Sequence, residues 1–269
     1  MTLSFPESDA VLLAVQAGLV AAPAAGLPHG LRVPRGRWWA LIPPGSVAVV
    51  IFGLQLAPGG ADGLTYLALA TTPPLAAAAL GWAVRGARPV WALLALPVLA
   101  VAWAANGSLV GDGAALALSA LGCVTLGRLL AGVAPARWLK LGIVAMAIVD
   151  TALVISDQLQ QPNAVLNAAA PVADLPRFQL AQFGSGVMGY GDLFIAALLG
   201  AVLACEHGDQ LRGALCCLAL SALFDLLFFV TDELPATVPV ALTLIVLELA
   251  RRRRPRPSAQ AIAATARSS

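Results

Sequence analysis

Charge is what this chain has least of. Asp, Glu, Lys and Arg together make up 11% of its 269 residues, against 59% hydrophobic residues. A water-soluble domain of this length has no use for so much apolar surface, so the composition excludes an ordinary cytosolic enzyme and indicates a polytopic membrane protein. Histidine is almost absent (His29 and His207, both in loops), which leaves little with which to build a metal site. The four cysteines (Cys123, Cys205, Cys216 and Cys217) lie in or at the ends of apolar segments without a CxxC pair. They read as small packing residues and not as a disulfide framework. No phosphate-binding glycine loop and no Ser/His/Asp set is present. The amino terminus, MTLSFPESDA, lacks the basic region of a cleaved signal peptide and carries Glu7 and Asp9 instead.

What is present is a series of long apolar runs. Nine can be marked, at 10–27, 38–57, 64–84, 89–105, 114–133, 138–157, 183–205, 211–230 and 235–250. Pro43, Pro44, Pro73, Pro74 and Pro97 fall inside them, so kinked helices packed through Ala and Gly are expected. The expected class is an all-α membrane protein of about nine transmembrane helices, divided into a five-helix region (1–137), a four-helix region (138–250) and a disordered basic tail (251–269). Fifteen of the sixteen Lys and Arg residues fall on one side of this arrangement, Arg177 being the exception. The positive-inside rule then places the C-terminus in the cytoplasm and the N-terminus outside, which agrees with an odd span number. The Arg251–Arg254 run reads as a topology anchor against anionic lipid, with no nucleic acid as partner. Trp38, Trp39 and Trp138, near span ends, read as interfacial anchors.

Against this background two acids stand out: Asp150 in span six and Asp192 in span seven, the latter within Gly189-Tyr190-Gly191-Asp192. A carboxylate at bilayer depth is costly and marks a functional site by default. Taking span six to end at Asp157 and span seven to begin at Phe183, antiparallel neighbours place both acids roughly 10–14 Å below the outer boundary. Two close carboxylates without a cation must share a proton, which lets one act as base toward water while the other acts as acid. Gly189 and Gly191 permit close approach and a deformable backbone beside the acid. Intramembrane acids also serve as proton relays, so a proton- or cation-coupled transporter is the competing class. Asp225 is a third acid in an apolar span, placed to line the same cavity, face water or hydrogen-bond a neighbouring helix, and Glu248 is expected in an ion pair beside the Arg cluster.

The order of these motifs resembles the presenilin and signal peptide peptidase family of intramembrane aspartyl proteases. Val149-Asp150 stands in span six, Gly189-Tyr190-Gly191-Asp192 in span seven and Pro235-Ala236-Thr237 at the start of span nine. Those positions match the family's Tyr-Asp, Gly-x-Gly-Asp and Pro-Ala-Leu motifs, with Val149 and Thr237 as departures; the likeness covers about 138–250. The resemblance implies a catalytic pair, Asp150 and Asp192, that activates one water without metal or organic cofactor. It implies that Pro235, Ala236 and Thr237 help to position substrate. Substrates would be transmembrane peptides or proteins, and the orientation, similar to that of signal peptide peptidase, implies helices with a cytoplasmic N-terminus. A catalytically inactive scaffold of the same family is a further alternative. A looser likeness to the prepilin peptidases lies in the stretch DTALVISDQL, which would make Asp157 the first acid. The Ala-, Gly- and Arg-rich composition goes with a prokaryotic inner membrane.

Overall fold

The computed structural model describes residues 3–27, 34–57, 59–156, 158, 160–169, 171, 175–206, 208–229 and 234–253. His29, Arg32, Asp157, His207, the 230–233 stretch and the tail from 254 onward lie outside the described residues. Ten α-helices follow one another: α1 (Phe5–Ala21), α2 (Ile42–Leu56), α3 (Gly60–Ala78), α4 (Ala95–Ala104), α5 (Leu109–Val133), α6 (Ala136–Ile155), α7 (Gln160–Ala168), α8 (Tyr190–Glu206), α9 (Gln210–Phe224) and α10 (Thr237–Arg253). Each apolar run of the sequence is helical over most of its length. Among the described residues, five segments are long and apolar enough to cross a membrane: Arg37–Leu54, Gly60–Ala83, Leu109–Val133, Ala136–Ile155 and Gln210–Phe228. The chain is thus mostly helical, with the character of a multi-pass membrane protein.

One feature departs from the all-α expectation. Residues 183–189, expected to begin span seven, form no helix. Strands β1 (Leu180–Phe183) and β2 (Gly186–Gly189) pair antiparallel, Leu180 opposite Gly189 and Phe183 opposite Gly186. A two-residue turn, Gly184-Ser185, joins them, and Gly184 sits at φ 58°, a conformation glycine adopts without strain. The hairpin is fastened at its tip. Gly184 N–H donates to Asp112 Oδ2 of α5 (3.2 Å) and Ser185 N–H donates to Ser8 Oγ of α1 (3.3 Å). A further short helix, α7, lies between the expected spans six and seven.

Helix α8 is the axis of the bundle. From Ile195 to Leu203 every residue is buried, which fits a helix that is apolar on all faces. Its neighbours come close because glycines face the contacts. A Cβ on Gly200 would collide with the Val20 carbonyl of α1, and one on Gly127 of α5 would lie 2.9 Å from the Ala197 carbonyl carbon. With no hydrophobic drive between helices in lipid, this backbone-to-backbone packing supplies the cohesion. Arg128, buried in α5, donates to the Ala25, Gly26 and Trp82 carbonyls and stacks over the Trp82 ring at 4.1 Å. It thereby satisfies carbonyls left free where α1 ends and where the π-turn after α3 breaks regular bonding.

Candidate active site

The Gly-x-Gly-Asp segment acquires a specific local meaning at the start of α8. Gly189 precedes the helix and Asp192 is its third residue, so Gly189 N–H donates to Asp192 Oδ2 at 3.1 Å. This is the reach-back half of a capping box, at the helix end whose dipole favours a negative charge. A Cβ at 189 would lie 2.9 Å from that same Oδ2, so a side chain there would push the carboxylate out of its place. Gly191 is not crowded; its nearest neighbour would be Met146 Cε at 3.8 Å. Tyr190 turns away from the acid, its hydroxyl facing Thr72 of α3 above Gly122 of α5. The expected role of the glycines in helix approach is therefore replaced, at Gly189, by space for the carboxylate itself.

Asp150 lies five residues before the end of α6. Thr237, the first residue of α10, donates its hydroxyl to Asp150 Oδ2 at 2.7 Å. Of the two residues that depart from the motifs the resemblance rests on, Val149 and Thr237, it is Thr237 that touches Asp150. Pro235 and Ala236 lead into this turn, and the Ala236 carbonyl accepts a hydrogen bond from Gln16 Nε2 of α1 (3.0 Å). Ser221 of α9 in turn donates to Gln16 Oε1 (3.0 Å). Asp9, Gln16 and Ser221 belong to the site although the motifs do not point to them. Gln16 alone carries a signal, as the one amide in the run AVLLAVQAGLVAA.

Asp150 and Asp192 are half-buried, line one cavity of about 1100 Å³, and act on each other electrostatically. Helices α6 and α8 are antiparallel, since Lys140 near the start of α6 meets Glu206 at the end of α8 while the two acids line one cavity at the other end. Both acids lie nearer their helix ends than the expected spans placed them. Asp150 is roughly 8 Å and Asp192 roughly 3 Å from the nearer terminus of its helix, because α8 starts at Tyr190 and not at Phe183. Among the described residues, no Lys or Arg pairs with either acid. Asp225 lines the same cavity and shares a hydrogen bond with Asp9 of α1, giving a second carboxyl pair on its wall.

The far end of the bundle is organised differently. Lys140 Nζ lies 2.6 Å from both Glu206 and Glu248, and Arg251 reaches Glu248 (3.1 Å), Glu206 (3.4 Å) and Asp209 (3.7 Å). Glu248 is thus ion-paired beside the Arg cluster, as expected. Comparison with known proteins gives no matching family model, no matching curated protein and no matching solved structure.

Proposed function

We propose that this chain is an intramembrane aspartyl endopeptidase of presenilin-like type, in which Asp150 and Asp192 hydrolyse peptide bonds of transmembrane segments. The observation that carries the reading is the placement of these two carboxylates on the wall of one cavity, with no cation paired to either among the described residues and Thr237 bonded to Asp150. Two such acids in a low-dielectric site hold one proton between them. The ionised one takes a proton from a water as that water attacks the scissile carbonyl carbon; the protonated one gives its proton to the carbonyl oxygen. Collapse of the tetrahedral species returns a proton to the leaving amine.

A peptide bond inside a helix is shielded, so substrate has to unwind first. In this reading the unwound stretch adds as a strand to the β1–β2 hairpin, which runs directly into the catalytic Asp192 turn and contributes Leu180, Val187 and Met188 to the cavity wall. The backbone partner then lies at the end of the 158–182 segment, where β1 begins, with the Pro235 turn as the other wall. The nine helices other than α7 are the nine spans of the proposal, with the Lys- and Arg-rich end in the cytoplasm, the basic tail on anionic lipid and the active site toward the outer face of a prokaryotic inner membrane. Substrates are transmembrane peptides or proteins with a cytoplasmic N-terminus.

The test is cleavage of a single-span reporter of that orientation in liposomes by the wild type, Asp150→Ala and Asp192→Ala. Product from the wild type alone supports the dyad; product surviving either change rejects it. A second reading, proton-coupled transport, is favoured by the Asp9–Asp225 pair on the same cavity wall. It requires proton-dependent uptake that the same substitutions abolish, with no peptide product from any variant.

A further inference from the structure

We infer that Gln16 of α1 is a positioning residue for the active site: it fixes the Pro235-Ala236-Thr237 turn so that the Thr237 hydroxyl is held on Asp150. The inference rests on the peptidase reading for its kinetic consequence, though its structural claim stands apart from it.

Three observations carry it. Gln16 is 1% exposed within the otherwise apolar stretch 10–21 of α1, and an amide is costly there unless both its ends are satisfied. Both are satisfied, and asymmetrically. Ser221 of α9 donates to Oε1, which leaves Nε2 to donate to the Ala236 carbonyl, one residue before Thr237. Finally, Thr237 opens α10, and the first turn of a helix is the part least held by its own bonds. A hydroxyl presented from such a turn keeps its aim only if something outside the helix pins the backbone. Gln16 is the pin, with its orientation set by Ser221. The relay Ser221–Gln16–Ala236–Thr237–Asp150 therefore joins α1, α9 and α10 to the acid on α6.

A role as simple helix glue makes a different forecast, so the test needs a readout that glue does not move. The variants are Gln16→Met, which keeps length and loses both bonds, Thr237→Val, their double mutant, and Ser221→Ala as a milder change should the first fold poorly. In the liposome assay, Gln16→Met is expected to lower kcat roughly 10- to 100-fold with KM unchanged. Its pH–rate profile should shift as that of Thr237→Val does, and the double mutant should be no worse than Thr237→Val alone, because both changes cut one chain. Ser221→Ala should move the profile in the same direction by less. Additive losses, or an unshifted profile, overturn the inference.

The second readout does not depend on proteolysis. Dicyclohexylcarbodiimide reacts with protonated carboxyls in apolar sites, and its adduct on Asp150 can be quantified by mass spectrometry across a pH series. The expected result is that Gln16→Met and Thr237→Val displace the labelling midpoint equally and in the same direction. A midpoint unaltered by Gln16→Met overturns the inference even if the wild type cleaves nothing, while a wild type without cleavage but with the shared displacement overturns only the peptidase reading.

Discussion

At one end of α6, α8, α9 and α10, Lys140 and Arg251 sit among Glu206, Asp209 and Glu248, so each partly buried carboxylate has a cation within 4 Å. At the other end of the same helices, Asp150, Asp192 and Asp225 face a cavity, and among the described residues they meet only hydroxyls, amides and one another or Asp9. The first arrangement discharges the cost of burying charge and leaves the groups inert. The second leaves protons to be shared, which is what makes carboxyls useful as acids and bases. One set of helices thus carries an ion-paired clamp and a cluster of acids without cations about twenty ångströms apart, roughly fourteen residues of helix.

The comparison breaks most sharply if the acids at the cavity prove as dispensable as the clamp. Asp150→Asn and Asp192→Asn are expected to cut reporter cleavage at least about 10³-fold while the protein still elutes as a folded species in detergent. Thr237→Val removes the hydroxyl on Asp150 and nothing else of comparable size; the expected loss in kcat is roughly 10- to 100-fold, read from liposome kinetics. Gly189→Ala puts a methyl against the place Asp192 Oδ2 now holds. The short carboxylate can rotate away, so thermal stability should hardly change while cleavage falls about tenfold. Lys140→Met sharpens the contrast from the opposite side. It strips the shared cation from Glu206 and Glu248, and should lower stability by about 1–3 kcal/mol, seen as a lower Tm in detergent, with kcat per folded molecule within about twofold of wild type.

Much of this molecule was legible as hydropathy. Segments such as 38–57, 89–105 and 114–133 fall within a few residues of helices seen in the structure, because long apolar runs have few ways to satisfy their backbone without water. The hairpin was not legible. Its strands continue the apolar run into α8, and four-residue strands leave no periodicity to set against a helix; the only cue was Gly184-Ser185-Gly186, which reads equally as loosened helix. Of the site, Asp150 and Asp192 stood out because charge in an apolar span is rare. Thr237 stood out too, but as a residue to position substrate and not as the partner of Asp150, 87 residues away; the Ser221–Gln16 contact, across 205 residues, gave no signal, since hydroxyls are common in apolar helices. In sequence Asp9 is only an acid near the amino terminus, for its partner Asp225 comes from the far end of the chain.

The burial of α8 also constrains how the protein is made. Six of the larger helices leave the ribosome before it, including α1 and α5, whose backbones it finally touches at Gly200 and Gly127. In the finished bundle α8 packs backbone to backbone against both, so their packing is complete only once α8 has been made. Being apolar on every side, α8 can wait in lipid until it docks. Its arrival completes the wall of the cavity and delivers Asp192 to Asp150 in a single assembly step, so the two acids stay apart until most of the chain has been translated.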